Sequence, residues 1–166
     1  VDPIMGDEGK LYNGVTAATI NSMREMLSVA HICYPNYTEA CYLTGRAYQP
    51  EGISQGEAHS LLDHLRKTGT KSALVTSVPV DGTPSVIGYN HMNGEYFQLT
   101  YEEIPVHFPG TGDIFSAVLI AHLLDGEELK RSVRMAMDAV YQLIDLNKDN
   151  PDKNRGIPLE QYLNIF

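Results

Sequence analysis

The segment Phe108-Pro109-Gly110-Thr111-Gly112-Asp113-Ile114-Phe115 holds the residue types needed to move a phosphoryl group. Gly110 and Gly112 flank Thr111, Asp113 follows, and a strongly apolar helix is expected at once, over 112–124. Glycine lets the main chain approach a ligand closely. The N–H groups at a helix start, with the dipole behind them, suit a phosphate or a developing anion. Asp113 falls in the first turn, within reach of the same anion. An anion hole beside a carboxylate that can take a proton is the apparatus for phosphoryl transfer onto a hydroxyl. The plainer alternative is a glycine-rich turn in which Asp113 is an ordinary helix-start carboxylate.

Other segments supply matching chemistry. Asp2-Pro3-Ile4-Met5-Gly6-Asp7 leaves a strand end with two carboxylates five positions apart. Asn36 and Glu39 stand three apart, an amide and a carboxylate on one side of a helix start. Thr76 and Ser77 end a β-rich run with two hydroxyls, and Tyr12 sits in a loop with Gly6, Gly9 and Gly14. Val106 and Phe108, just before the anion hole, are candidates to wall an adenine or to pack against the following helix. Mg²⁺ prefers oxygen ligands and keeps several waters, so separated carboxylates such as Asp7 and Glu39 suit it. The bland alternatives are a turn aspartate, a helix cap and packing tyrosines.

Elements that could position these residues follow in order. Helical spacing runs over 16–27, with Ile20, Met23 and Leu27 on one face. A short buried strand is expected over 29–33. Asn36 caps a helix that Gly45 stops, and Ser54 with Glu57 makes a capping-box pattern before Leu61, Leu62 and Leu65. Residues 72–77 read as a strand, and Asn93-Gly94 reads as a hairpin turn between 86–89 and 96–99. An amphipathic helix is expected over 128–146. Alternating helices and strands predict an α/β fold with a largely parallel sheet, whose ligands bind at the carboxyl ends of strands.

The chain has 166 residues, 43% hydrophobic and 20% charged, enough for one domain with a core. Its formal charge is −9 with no Lys/Arg stripe, which argues against nucleic acid. No apolar run is long enough for a membrane span. Cys33 and Cys41 lack metal-ligand spacing and read as core thiols of a reducing, cytoplasmic compartment. The histidines show no metal-ligand spacing.

In this order, DPIMGDEGKLY, PNYTEACYLTG, LVTS and GTGDIFSAVL resemble the vitamin B6 kinases, or pyridoxal kinases, of the ribokinase-like superfamily. The resemblance implies a ribokinase-like three-layer sandwich, of which residues 1–166 would be the C-terminal portion, the N-terminal part of the domain not being visible. It implies ATP-dependent phosphorylation of the 5′-hydroxyl of pyridoxal, pyridoxine or pyridoxamine by a cytoplasmic homodimer. Asp113 would be the base, close to the substrate hydroxyl, and Gly110, Thr111 and Gly112 the anion hole. Asn36 and Glu39 would form the NxxE motif beside the nucleotide, Glu39 organising Mg²⁺ through water. Asp7 would face phosphates and metal, and Asp2 would help place a cation. Thr76 and Ser77 would contact the nucleotide, and Tyr12 would cover the substrate from a mobile loop. Tyr34 departs from the pattern, since many members carry threonine there, at a position associated with cation and phosphate contacts. That bears on any use of K⁺. The alternatives are a hydroxymethylpyrimidine kinase of thiamine synthesis and a non-catalytic nucleotide-binding remnant.

Overall fold

A computed structural model describes residues 1–165, which divide into two compact units, one from Val1 to Tyr101 and one from Glu102 onward. The first unit opens with a minimal hairpin, β1 (Gly6–Asp7) against β2 (Lys10–Leu11). The glycine-bearing loop expected over residues 5–14 is therefore partly a β-ribbon. Helix α1 (Ala17–Ser28) follows from a capping box of Thr16 and Thr19. Its Leu27 is fully buried, while Met26 is exposed.

Strand β3 (Ile32–Cys33) leads into α2 (Tyr37–Thr44) and α3 (Gln55–Arg66). Asn36 and Ser54 cap these two helices, each answered by a glutamate three residues on. Gly45 ends α2 in the left-handed conformation, φ 71°, which a side chain would resist. The apolar face of α3 carries Leu61, Leu62 and Leu65, each at 1% exposure or less, into one core with Leu27, Ala40, Val75 and Val78. Full burial of a leucine is worth about 1.5–3 kcal/mol, so this face anchors the unit. Val1 is not part of a named strand, but its amino group donates to Ile32 O and its carbonyl accepts Tyr34 N, the bonds of a chain running beside β3.

The main sheet is β3 followed by β4 (Ser72–Val80), β5 (Thr83–Asn90) and β6 (Glu95–Thr100). It is mixed rather than largely parallel: β3–β4 is parallel, whereas β4–β5 and β5–β6 are antiparallel. Short turns cause the difference. Asp81 and Gly82, at φ 47° and 76°, join Val80 to Thr83 in two residues, a span that only antiparallel strands can close. The Asn93-Gly94 hairpin forms as the sequence indicates.

Strand β4 also outruns its expected end at Ser77. One extra residue between Val75 and Val78 makes a bulge, with Ser77 at φ 56°, and the ladder resumes to Val80.

The second unit consists of α4 (Thr111–Leu124), α5 (Leu129–Asn147) and three 3₁₀ turns within residues 153–165. Helix α5 is amphipathic, capped by Glu128, and buries Val133, Ala136 and Leu143. Both cysteines are buried and free, and burial pushes the Cys33 thiol up to about 11.

Candidate active site

The start of α2 is a closed knot of hydrogen bonds. Asn36 Oδ1 accepts the Glu39 amide at 3.0 Å, and Glu39 Oε2 accepts the Asn36 amide at 2.9 Å. The remaining oxygen, Oε1, accepts the Met5 amide at 2.6 Å, and Asn36 Nδ2 donates to Gly6 O at 2.8 Å. Thus the NxxE pair ties the segment after Asp2-Pro3 to the helix start across some thirty residues of chain. Glu39 is buried at 3% exposure. Burial raises its pKa; the amides of Met5, Asn36 and Gly6 pull the other way, and Asp2 raises it further.

The neighbouring candidates gather on this knot. Thr76 pairs with Asn36 in a parallel bridge, and its amide donates to Pro35 O at 3.0 Å, so the LVTS end lies beside the cap. Ser77 follows, exposed on the bulge. Asp7 is exposed on β1, with Oδ1 accepting the Glu8 amide at 2.8 Å. Tyr12, 49% exposed, donates its amide to Met5 O at 2.9 Å. Burial, then the charges of Asp7, Glu39 and Asp2, raise the Tyr12 pKa, as expected for a phenol among carboxylates. Asp2 is half-buried.

Any metal ligation in this unit would be indirect. Both Glu39 oxygens are engaged by main-chain amides. Among the described residues no three acidic, histidine or cysteine side chains gather closely enough to hold an ion. This donor set fits a hydrated ion held through water, not a direct cage.

Helix α4 starts differently. Gly110 occupies the cap position at φ 87° and ψ 0°, and no side chain caps the helix. Ile114 N returns to Gly110 O at 3.1 Å, and Thr111 Oγ1 donates to Phe108 O at 3.2 Å. Asp113 is exposed in the first turn, and a Cβ on Gly110 would meet its Oδ2 at 3.9 Å. The helix therefore presents amide groups without a side-chain acceptor, with a carboxylate next to them. Val106 is half-buried, but Phe108 is only 1% exposed, so its ring is a packing residue with no open face toward a base.

The sequence assigns no role to Thr38, Tyr42 or Tyr48, yet all three meet Gly9 of the hairpin. The four-residue interval between Thr38 and Tyr42 marks a shared helix face, but nothing in the sequence shows that Gly9 lies against it.

A family model described as phosphomethylpyrimidine kinase matches residues 1–158. The chain belongs to this family. Among its relatives, the pyridoxal kinase of Arabidopsis thaliana is 34% identical over 124 residues, covering 72% of this chain and 38% of that protein. A Bacteroides thetaiotaomicron structure, assigned to the phosphomethylpyrimidine kinases and crystallised with pyridoxal, is 33% identical. It superposes with a TM-score of 0.90, covering 99% of this chain and 59% of that one. The pyridoxal kinase of Lactobacillus plantarum gives a TM-score of 0.84 at 26% identity, over 98% of this chain and 58% of its own. The α/β, ribokinase-like fold is thus shared with these proteins. The chain spans about half the length of the relatives it matches.

Proposed function

We propose that this protein is an ATP-dependent kinase that phosphorylates the 5′-hydroxyl of pyridoxal, pyridoxine or pyridoxamine. The observation that carries the proposal is the knot at Asn36 and Glu39, which holds the DPIMGDEGKLY segment through Met5 and Gly6. That segment is the one whose pattern points to the vitamin B6 branch, and kinship with proteins named pyridoxal kinase supports the reading.

Asp113 removes the proton as the substrate oxygen attacks the γ-phosphorus. The P–O bond to ADP breaks, and the negative charge on the transferring group meets the N–H groups at Gly110, Thr111 and Gly112. Catalysis is mainly positioning and charge stabilisation. Thr76, Ser77 and Val106 contact the nucleotide, Tyr12 covers the vitamer, and Asp7 faces the phosphates. Asp7 and Glu39 would hold hydrated Mg²⁺ through water, and Asp2 would help hold a monovalent cation. The metal, when bound, neutralises phosphate charge. Residues 1–166 form the C-terminal portion of the kinase domain, working as a cytoplasmic homodimer. Among the described residues no helix is long and apolar enough to cross a membrane.

A second reading, phosphorylation of hydroxymethylpyrimidine, has the family description in its favour. The test is a side-by-side assay of the purified protein with ATP, Mg²⁺, three B6 vitamers and hydroxymethylpyrimidine. Formation of pyridoxal 5′-phosphate with the higher kcat/KM is expected. A strong preference for the pyrimidine would move the protein to thiamine synthesis, and ATP binding without any turnover would leave a nucleotide-binding remnant.

A further inference from the structure

The β1–β2 hairpin is gripped at its tip as well as at its base. The Gly9 amide donates to Thr38 Oγ1 at 2.8 Å, and the Gly9 carbonyl accepts Tyr42 OH at 3.3 Å. Tyr48 closes a third side, since a Cβ on Gly9 would lie 2.8 Å from its ring. Thr38 and Tyr42 stand one turn apart on α2, the helix whose first residues already hold Met5 and Gly6. One helix therefore fixes both ends of the hairpin.

That grip is needed. Each strand has two residues, and an isolated two-stranded hairpin is marginal even when longer. Its shape is set by what holds it. Thr38 is 2% exposed, so its bond to Gly9 is shielded from competing water. The hairpin carries Asp7 on β1 and leads directly into Tyr12, the two residues assigned above to phosphate and vitamer.

We propose that Thr38 and Tyr42 are positioning residues: by holding Gly9 they fix the hairpin tip, and with it the placement of Asp7 and Tyr12. The kinetic part of this inference rests on the proposed function. A hairpin held in place beforehand costs the vitamer no ordering on binding, whereas a loose one must be ordered at the expense of affinity. Thr38 and Tyr42 touch neither substrate nor phosphate in this scheme, so the effect falls on KM rather than on kcat.

The experiment compares wild type, Thr38→Val, Tyr42→Phe and Thr38→Ser. Amide hydrogen exchange is followed at Gly9, Lys10 and Leu11, together with steady-state kinetics for vitamer and ATP. Thr38→Val should speed exchange at Gly9 by about three- to tenfold, the factor expected for one lost hydrogen bond. Vitamer KM should rise by a similar factor through Tyr12, ATP KM should rise with it through Asp7, kcat should stay nearly unchanged, and Thr38→Ser should restore exchange and both KM values. Tyr42→Phe keeps the ring, so it tests the same grip without disturbing the buried threonine. Unchanged exchange in both variants would overturn the grip. Faster exchange with unchanged vitamer KM would make the contacts merely structural and overturn the positioning role. A wild type that turns over no vitamer defeats the proposed function instead, and the exchange comparison then decides the hold on Gly9 by itself.

Discussion

Helices α2 and α4 begin in opposite ways. At α2 the amide and carboxylate of Asn36 and Glu39 satisfy each other's main chain and reach two further groups, Met5 N and Gly6 O. At α4 the cap is a left-handed glycine with no side-chain acceptor, and Asp113 stands exposed beside it. The first start has spent its polar groups on holding the chain together. The second leaves its amides without a side-chain acceptor and its carboxylate exposed, the groups that the proposed function gives to the transferring phosphoryl group. A helix terminus can serve as structure or as a reagent, and the proposed function gives this chain one of each.

Substitution should separate the two plans. The largest effect belongs to the open start: Asp113→Asn should slow phosphoryl transfer by about 10²- to 10⁴-fold, the range for a positioned base. ATP affinity and the urea midpoint should hardly move, because Asp113 is exposed. Single-turnover rates beside a nucleotide titration measure this, and near-normal turnover would remove Asp113 from the mechanism.

The closed start should behave in reverse. Glu39→Gln sets an amide NH₂ against one of the two amides that Glu39 now accepts, at a cost on the order of 1–3 kcal/mol in unfolding free energy. The Mg²⁺ concentration needed for activity should also rise. A variant with unchanged denaturation and an unchanged Mg²⁺ titration would show that Glu39 is neither clamp nor metal support.

A smaller effect comes from pH. Burial raises the native pKa of Glu39 above the ordinary glutamate value. The folded state therefore holds this proton more tightly than the unfolded chain. The associated stability is fully present below the unfolded pKa and is lost as pH rises through the raised native one. Urea midpoints from about pH 4 to 8 should show that decline in wild type, and Glu39→Gln should lack it. Identical slopes would mean that the carboxylate titrates alike in both states.

The smallest change is expected at the thiols. Cys33, pushed up to about 11 by burial, and buried Cys41 should not react with a thiol reagent at neutral pH until the protein is unfolded. Rapid labelling of the native protein would contradict their burial.

The open start was readable because local residues define it: Gly110 for the backbone angle, Asp113 for the first turn. The cap at Asn36, with Glu39 three residues on, and the stop at Gly45 were readable for the same reason. What Glu39 does with its second oxygen was not, because Met5 lies 34 residues away. Alternating helices and strands indicate the α/β class, but not the antiparallel pairings β4–β5 and β5–β6, which depend on short turns. Pro79 and Pro84 look like strand breakers around Asp81-Gly82, yet they sit directly opposite each other in the β4–β5 ladder. Next to a two-residue turn, that rung is the one alternation leaves without main-chain bonds, so the missing donors are harmless. The bulge at Thr76 and Ser77 hid the rest of β4 in the same way. Phe108 was offered as a nucleotide wall on position alone, and its burial could not be read from an isolated aromatic before a turn.

The meander β4–β5–β6 closes through turns of two and four residues, whereas the tie from Glu39 to Met5 spans 34. Short closures form early and long ones late, because the entropy of bringing distant segments together must be met first. The knot and hairpin should therefore assemble last and open first, in local excursions that leave the sheet intact. On gentle heating, catalytic inactivation should precede the loss of far-ultraviolet circular dichroism. Coincident loss of both signals would show instead that the Met5 tie and the meander melt as one cooperative unit.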